Sequence, residues 1–463
     1  MTRIHRRLLS NPVVAFSTAA ITMSALAVVT PKVPAGAVLQ DTPKAIVDEA
    51  WQIVNREYVD REAVEQKWQP LRQKLLNRNY INKEQAYAAL REAFKTFDDV
   101  YTRFMDPKQF DSLNNQTQGE LSGVGIRLEL PKDTKVLTIV EPLPDSPASR
   151  AKVKSGDRIV AVDGKSTKGM SIEDASALIR GEIGSKVVLR LRRKGQKDFD
   201  QPITRAKIEL QTVRYSLRNE GGKRIGYIRL SDFSSHADEQ MARAIKKLNN
   251  KQVDAFILDL RGNPGGLLDQ SLSISQMWLE KGDIVKTTDR TNIVEIVDRN
   301  GTVKTLDDAG KIRMLNRRGF YQEVVPNRPV LSKLPLAVLV DGNSASSAEI
   351  LTGALQDNQR ATIIGTQTFG KALVQSVHPL MSDRAGLAVT IAHYYTPKGT
   401  DISKKGIVPD IEVKLSEKDR DTLSNNPKLI GTLTDPQYAK AVSILGGGTI
   451  AENSITKTSQ RSQ

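Results

Sequence analysis

The sequence predicts a layered α/β protein with a helical N-terminal region and a β-rich segment placed before the core. Three observations support this fold class. Apolar residues recur at helical spacing between residues 41 and 118, short β-prone runs and turns follow from Gly123, and strands alternate with helices after residue 207. The chain has 463 residues, of which 39% are hydrophobic, so it can form several buried cores.

The first 37 residues have the pattern of a secretory signal peptide. The chain starts with the basic residues Arg3, Arg6 and Arg7. An apolar run from Pro12 to Val29 follows, and then the small-residue cleavage pattern Ala35-Gly36-Ala37. We expect cleavage after Ala37 and export from the cytoplasm. The alternative is an uncleaved membrane anchor, because the apolar run is about long enough to cross a bilayer.

Residues 38–118 are predicted to be helical, because apolar side chains such as Ile46, Ala50 and Ile53 share one helix face. Residues 119–206 are predicted to be mainly strands. The runs Val136–Val140, Arg158–Val162 and Lys186–Arg192 are strand candidates, and Ser171–Ile179 has a serine cap and the apolar spacing of a helix.

Residues 207–420 are predicted to form the α/β core. Its strand candidates are Ile225–Leu230, Ala255–Leu260, Leu334–Val340 and Ala361–Ile364, and its clearest helix is Ser346–Asn358. Residues 421–463 are predicted to be a C-terminal helix and a polar tail.

Composition excludes several kinds of chemistry. The chain has no cysteine and four histidines, which excludes disulfides, cysteine-based metal sites and thiol nucleophiles and makes a multi-histidine metal site improbable. The net charge is +15, and removal of residues 1–37 would lower it to +11. The basic residues are dispersed and not interleaved with aromatics, so we predict no nucleic-acid partner; an anionic membrane surface remains a possible weak partner.

A serine-rich turn follows the buried strand candidate Leu334–Val340 and leads into a helix at Ser346. A side chain at a helix N-terminus lies beside free N–H groups, which favour a developing oxyanion. This position suits a nucleophile. Plain helix capping by serine is the alternative.

The segment Gly365–Lys371 matches the first part of a phosphate-binding loop, G-x-x-x-x-G-K. Ala372 stands where a Mg²⁺-binding Ser or Thr is required, and residues 373–377 alternate like a strand, although a phosphate loop opens into a helix. We therefore interpret the match as fortuitous. A neutral Lys371 could instead act as the base for a serine if burial lowered its pKa. A Ser-His-Asp triad with His236, His378 or His393 is the rival arrangement.

Two glycine-rich turns could present backbone N–H groups. The turn at Gly262–Gly266 follows a strand and could complete an oxyanion hole, or be a tight turn without a ligand. The run Gly123-Val124-Gly125-Ile126 precedes a strand, where it could bind a terminal carboxylate while the strand edge accepts a peptide.

Together these segments resemble the carboxy-terminal processing peptidases, or tail-specific proteases, over about residues 41–415. The motifs that carry the resemblance are D-x-Y-T-R-F at Asp99–Phe104, the PDZ stretches Ser146–Ala148, Ser155–Ile159 and Val162–Gly164, L-D-L-R-x-N-P-G-G at Leu258–Gly266, S-A-S-x-x-E at Ser344–Glu349, T-F-G-K at Thr368–Lys371, and Lys405–Asp410.

The resemblance implies a crotonase-like peptidase core with an inserted PDZ domain, and it assigns roles to residues. Ser346 would be the nucleophile, Lys371 the general base and Gln375 its orienting partner. Supporting roles fall to Glu349 and Asp357, the oxyanion hole to Ser347 with Gly265 or Gly266, and peptide binding to Gly123, Val124, Gly125, Ile126 and Arg180. The Ser347-Ala348 pair departs slightly from the family pattern but leaves Ser346 and Glu349 in register.

The resemblance implies endoproteolysis near the C-terminus of exported proteins with apolar tails, without a metal or cofactor. It is strongest to cyanobacterial and plastid members, so the expected compartment is the periplasm or the thylakoid lumen, and a photosystem II reaction-centre precursor is a possible substrate. An oligomer is possible. The alternative functions are a non-catalytic PDZ adaptor that binds protein C-termini and a secreted nucleotide-binding enzyme.

Overall fold

The computed structural model describes residues 42–131, 134–292, 294–306, 312–314 and 328–446. The predicted signal peptide and the tail from residue 447 onward lie outside the described residues. Among the described residues, no helix is long and apolar enough to cross a membrane.

The N-terminal region is helical, as predicted, except for one short strand. Its elements are α1 (Pro43–Glu57), α2 (Arg61–Ala63), a π-helical turn (Val64–Trp68), α3 (Leu71–Leu76), α4 (Lys83–Phe94), β1 (Arg103–Met105) and α5 (Pro107–Gln118). Thr42 caps α1, and Asp106 with Gln109 forms a capping box on α5. The buried faces of α1 and α4 pack around Trp68 and also against Leu387 and Val389 of a later strand. The helical region is therefore joined to the core.

The β-rich segment contains β2 (Glu120–Gly123), β3 (Ile126–Glu129), β4 (Thr138–Pro142), α6 (Pro147–Arg150), β5 (Arg158–Val162), β6 (Lys165–Ser166), α7 (Ile172–Ile179), β7 (Lys186–Arg192), β8 (Phe199–Thr204) and β9 (Ala206–Glu209). Five strands form a sheet in the order β3-β4-β5-β7-β8, with β6 paired to β5. The sheet surrounds its own apolar core. A two-stranded ribbon of β2 and β9 connects this segment to the rest of the chain.

The core is built on a six-stranded sheet in the order β10-β11-β12-β17-β18-β21. From β11 onward neighbouring strands are parallel, whereas β10 is an antiparallel edge strand. The sheet elements are β10 (Val213–Glu220), β11 (Lys223–Leu230), β12 (Ala255–Asp259), β17 (Leu336–Val340), β18 (Thr362–Gly365) and β21 (Ile411–Glu412). The predicted core strands are confirmed, with ends shifted by one or two residues.

Helices cover both faces of this sheet. One face packs against α8 (Ala237–Asn250), α9 (Leu268–Trp278) and α10 (Ser347–Asp357). The other packs against α12 (Pro436–Ile444), which follows α11 (Glu417–Asn425) and a 3₁₀ turn at Pro427–Leu429.

A second sheet lies beside the first and joins the N-terminal region to the core. Its strand order is β1-β20-β13-β14-β15-β16, with β19 also paired to β20. Its later strands are β13 (Asp283–Asp289), β14 (Val294–Asp298), β15 (Val303–Leu306), β16 (Ile312–Met314), β19 (Leu373–Pro379) and β20 (Gly386–Tyr395). The segment after Lys371 is thus a strand, as the alternating pattern predicts, and not the helix that a phosphate loop needs.

Candidate active site

Ser346 lies at the junction between strand β17 and helix α10. It is the N-cap of α10, and its backbone has φ 54° and ψ −118°, a conformation that residues with a Cβ rarely adopt. Such strain costs on the order of 1–3 kcal/mol and persists only where the surroundings impose it. Helix capping alone does not require this backbone conformation, so the geometry favours a role for the Ser346 side chain.

Lys371 begins the approach to β19 and is largely buried. Its Nζ lies 4.7 Å from the centre of the Tyr101 ring. Burial, and then the nearby positive charge of Arg103, lower the pKa of Lys371 to about 8, while Asp99 and Glu349 oppose the shift. At neutral pH a usable fraction of the amine is therefore unprotonated, as a general base requires.

Glu349 holds the serine turn and the lysine loop together. Its fully buried carboxylate accepts hydrogen bonds from the backbone N–H groups of Ser346 (2.9 Å), Gly370 (2.6 Å) and Lys371 (3.0 Å), and from the Thr368 hydroxyl (2.7 Å). One side chain thus fixes both segments that carry the predicted dyad.

The glycine-rich turn packs directly against Ser346. A Cβ on Gly265 would lie 2.7 Å from the Ser346 Cβ, so no larger residue fits there. The Gly265 N–H donates to the Asn263 side chain (2.9 Å), whose amide donates to the Leu230 carbonyl (2.9 Å). Of the two glycines, Gly266 also lines the cavity that contains Ser346.

A cavity of about 120 Å³ connects the reactive groups. Ser346, Lys371 and Gln375 all line it, and apolar residues make up most of the wall. None of His236, His378 and His393 is among its lining residues, so the geometry does not support the rival triad. His236 instead contacts Glu120 of the connecting ribbon at 2.6 Å.

Three residues of the D-x-Y-T-R-F motif contribute to the site in ways that sequence reasoning missed. Tyr101 lies beside Lys371, Arg103 lines the cavity, and the Asp99 carboxylate accepts from the hydroxyls of Thr102 and Thr390, both at 2.7 Å. The Gln375 amide donates to the same Thr390 hydroxyl at 3.4 Å. From the sequence the motif serves only as a family marker, although its four polar side chains within residues 99–103 are a signal of a functional site.

A buried ion-pair cluster supports the glycine turn from below. Arg261 bonds to Asp259 (2.7 Å) and to Asp435 (2.7 Å), which precedes α12. Asp259 also accepts from the Tyr227 hydroxyl (2.7 Å). The Arg261 guanidinium and the Tyr227 hydroxyl hold the pKa of Asp259 below its usual value in spite of burial. The C-terminal segment is thus attached beneath the active-site turn.

Asp357 lies away from the other predicted residues. It ends α10, whereas Ser346 precedes the start of the same helix, so roughly 15 Å of helix separates them. Its carboxylate accepts from the Lys398 N–H (2.8 Å). The structure therefore places Asp357 as an anchor for a core loop.

Comparison with known proteins gives matches to both the core and the PDZ segment. Residues 224–413 match the model of peptidase family S41, and residues 138–193 match a PDZ domain. The carboxyl-terminal-processing protease of a Synechocystis strain is 38% identical over 402 residues, which covers 86% of each chain. The chain belongs to peptidase family S41. It is a carboxyl-terminal-processing protease.

Chloroplast proteins and a solved structure show the same relationship. The chloroplastic carboxyl-terminal-processing peptidase 2 of Arabidopsis thaliana is 35% identical, over 84% of this chain and 72% of that protein. The solved structure of a photosystem II D1 C-terminal processing protease is 32% identical, with a TM-score of 0.50, and covers 86% of this chain and 99% of that chain.

The predicted carboxylate-binding loop of the PDZ domain precedes the edge strand β3. The carbonyls of Val124 and Gly125 accept bonds from the N–H groups of Ala148 (2.8 Å) and Leu143 (2.9 Å) inside the domain. Because C=O and the following N–H point in opposite directions across a trans peptide, the N–H groups of Gly125 and Ile126 point away from the Ala148 and Leu143 donors. Arg180 is exposed at the end of α7, and Gly123 ends β2.

Proposed function

We propose that the chain is a serine endopeptidase with a Ser346–Lys371 dyad that cleaves near the C-terminus of exported proteins. The observation that carries this proposal is the shared cavity, in which a strained serine at a helix N-terminus and a buried lysine of lowered pKa both lie. The crotonase-like character of the core and the predicted domain boundaries are part of the same proposal.

The reaction uses the lysine as base and then as acid. Neutral Lys371 accepts the Ser346 hydroxyl proton while Oγ attacks the substrate carbonyl carbon. The tetrahedral intermediate collapses to an acyl-enzyme as the Lys371 ammonium protonates the leaving amine. Water then attacks the ester with Lys371 again as base, which releases the new C-terminus and restores Ser346.

We assign the oxyanion hole to the N–H groups of Ser347 and Gly266. Ser347 is the first residue of α10, so its N–H has no acceptor within the helix. The Gly265 N–H already donates to Asn263, which favours Gly266 as the second donor. Two such donors stabilise the developing oxyanion by several kcal/mol together.

Gln375 and the Tyr101 ring are proposed to orient the Lys371 amine. Gln375 lines the cavity and is itself held by Thr390, whose hydroxyl bonds to Asp99. The ring face of Tyr101 favours the ammonium that forms when Lys371 accepts the proton.

The PDZ domain is proposed to bind the substrate tail. The N–H groups of Gly125 and Ile126 would receive the terminal carboxylate, and the apolar residues between β3 and α7 would receive an apolar last side chain. Arg180 is the proposed residue that responds to a bound peptide. Tail capture by this domain serves the protease and replaces the adaptor interpretation.

The predicted signal peptide supports action in the periplasm or the thylakoid lumen. A photosystem II D1 precursor is a candidate substrate because the D1-processing structure is similar over most of its length. The net positive charge motivates a further proposal, contact with an anionic membrane surface. The family resemblance motivates the proposal that the protein forms an oligomer.

The test incubates the chain from residue 38 with two substrates, an unstructured protein ending in Ala-Ala and a protein with a D1-type tail. The cleavage products are identified by mass spectrometry. Ser346→Ala and Lys371→Ala should each lose about 10³-fold or more in activity while remaining folded. Matched controls are Ser424→Ala and Lys418→Ala, which change exposed residues of α11. These two variants should cleave the substrates at the wild-type rate. Near wild-type cleavage by Lys371→Ala would refute the base assignment.

A further inference from the structure

A second cavity of about 400 Å³ lies along the outer strand of the core sheet. It is lined by three arginines, Arg214 and Arg218 of β10 and Arg229 of β11. We call it the arginine groove. None of the described residues that line it carries a carboxylate. It shares no lining residue with the catalytic cavity.

The arginine side chains of the arginine groove are in positions that destabilise the protein when no ligand is bound. Arg214 and Arg229 are directly opposite each other in the antiparallel pairing of β10 with β11. Like charges at such positions destabilise a sheet. The Nε of Arg218 is buried without a hydrogen-bond partner. Arg229 has Asp259 at 3.7 Å, so Arg214 and Arg218 are the less neutralised pair. Both features would be relieved by an anion.

The groove follows the backbone of an edge strand. β10 ends the sheet order, and among the described strands only β11 pairs with it. The consecutive residues Arg214, Tyr215 and Ser216 all line the groove, so a ligand there lies along the strand. Pro427 and Ile430, beside α11, form an apolar part of the opposite wall. An edge strand offers unpaired N–H and C=O groups to an extended chain.

We propose that the arginine groove binds an extended acidic peptide segment, which adds to β10 as a further strand. Arg214 and Arg218 are four residues apart, or roughly 13 Å along a strand. Carboxylates four residues apart in an extended peptide have the same spacing, and each can accept two parallel hydrogen bonds from a guanidinium. The site is separate from the Ser346–Lys371 dyad, and its function as a binding site does not depend on that assignment.

The test measures binding, so it is independent of cleavage. The full chain with Ser346→Ala is titrated into a fluorescent decapeptide in which glutamates alternate with valine and threonine. The peptide carries a C-terminal amide, which prevents capture of a carboxylate by the PDZ domain. We expect saturable binding that weakens as salt is added. Arg214→Gln and Arg218→Gln should each weaken it about tenfold.

Matched controls separate the groove from general charge. Arg384→Gln, which changes an exposed arginine in the turn between β19 and β20, should leave the affinity unchanged. Arg214→Gln should not lower the melting temperature, because it removes the like-charge pair. A peptide N-methylated at alternate residues should bind more weakly if its backbone pairs with β10.

Three results would overturn the proposal. They are equal binding of a peptide with glutamine in place of glutamate, unchanged affinity in both arginine variants, or binding only of inorganic phosphate or of phosphatidylglycerol vesicles. The last two ligands are measured in parallel by competition and by sedimentation.

Discussion

At the scale of single residues, the surroundings of the Lys371 amine change its acid–base chemistry. Burial and Arg103 lower the pKa of Lys371 to about 8. Only roughly one tenth of the amine is neutral at pH 7 and about half at pH 8. We therefore expect kcat/KM to rise through pH 8 as the free base forms. A profile that is flat between pH 6.5 and 9 would contradict the assignment of Lys371 as the base.

Arg103 gives this pH profile a second test. Its positive charge disfavours the protonated lysine, so Arg103→Gln should raise the pKa of Lys371 and move the kinetic midpoint to higher pH. Arg384→Gln, which removes a distant exposed arginine, should leave the midpoint in place. A residue that served only to hold the fold would change the rate without moving the midpoint.

The buried amine also lowers stability. The pKa of Lys371 is lower in the folded protein than in the unfolded chain, so the unfolded chain binds more protons between about pH 8 and 10.5, and stability rises with pH across that window. Lys371→Met should abolish activity and raise the free energy of unfolding at pH 7 by up to about 3 kcal/mol. The gain should vanish near pH 10.5. Urea unfolding at several pH values measures it, and a destabilised variant at pH 7 would contradict this account.

Glu349 differs from Lys371 because we expect its carboxylate to support both the stability and the activity of the protein. Glu349→Gln keeps the size of the side chain but directs an NH₂ group towards N–H donors that need an acceptor. We expect a loss of about 1–3 kcal/mol in stability, together with a fall in kcat. Glu92→Gln, an exposed glutamate on α4, is the matched control. Wild-type kcat in Glu349→Gln would show that the two loops hold their positions without the carboxylate.

At the scale of elements, the α12 segment stabilises the turn that precedes the oxyanion donors. Asp435→Ala leaves the buried Arg261 with one of its two carboxylate partners. Breaking a buried pair in this way typically costs about 3–5 kcal/mol. We expect that loss in urea unfolding and a lower kcat, whereas Asp421→Ala on α11 should change neither. Wild-type activity and stability in Asp435→Ala would show that the active site does not depend on the α12 segment.

Local sequence predicts the helices and strands better than it predicts the tertiary contacts between them. Ser346 was identifiable because strand, small-residue turn and helix follow one another in the chain. The contacts of Arg261 with Asp435 and of Asp99 with Thr390 span 174 and 291 residues, and no periodicity or turn chemistry encodes such pairings. The same limit applies to Asp357, to which the resemblance assigns a supporting role, although the axis of α10 carries it away from Ser346.

At the scale of the whole molecule, the PDZ domain is joined to the core through the ribbon of β2 and β9. If the domain selects substrates by their terminal carboxylate, amidation of the substrate tail should raise KM while kcat stays nearly constant. An internal-sequence control of identical composition should respond little to amidation. Equal KM values for the free and amidated tails would show that the protein does not recognise the terminal carboxylate.

The position of Asp435 near the end of the described chain also determines when the enzyme can first become active. A polypeptide emerging from a ribosome or a translocation pore presents Ser346 and Lys371 before Asp435 has followed. Until then Arg261 lacks its second carboxylate, and the glycine turn above it is incompletely supported. We therefore expect a nascent chain to remain inactive until Asp435 has emerged, which would protect neighbouring unfolded chains from premature cleavage.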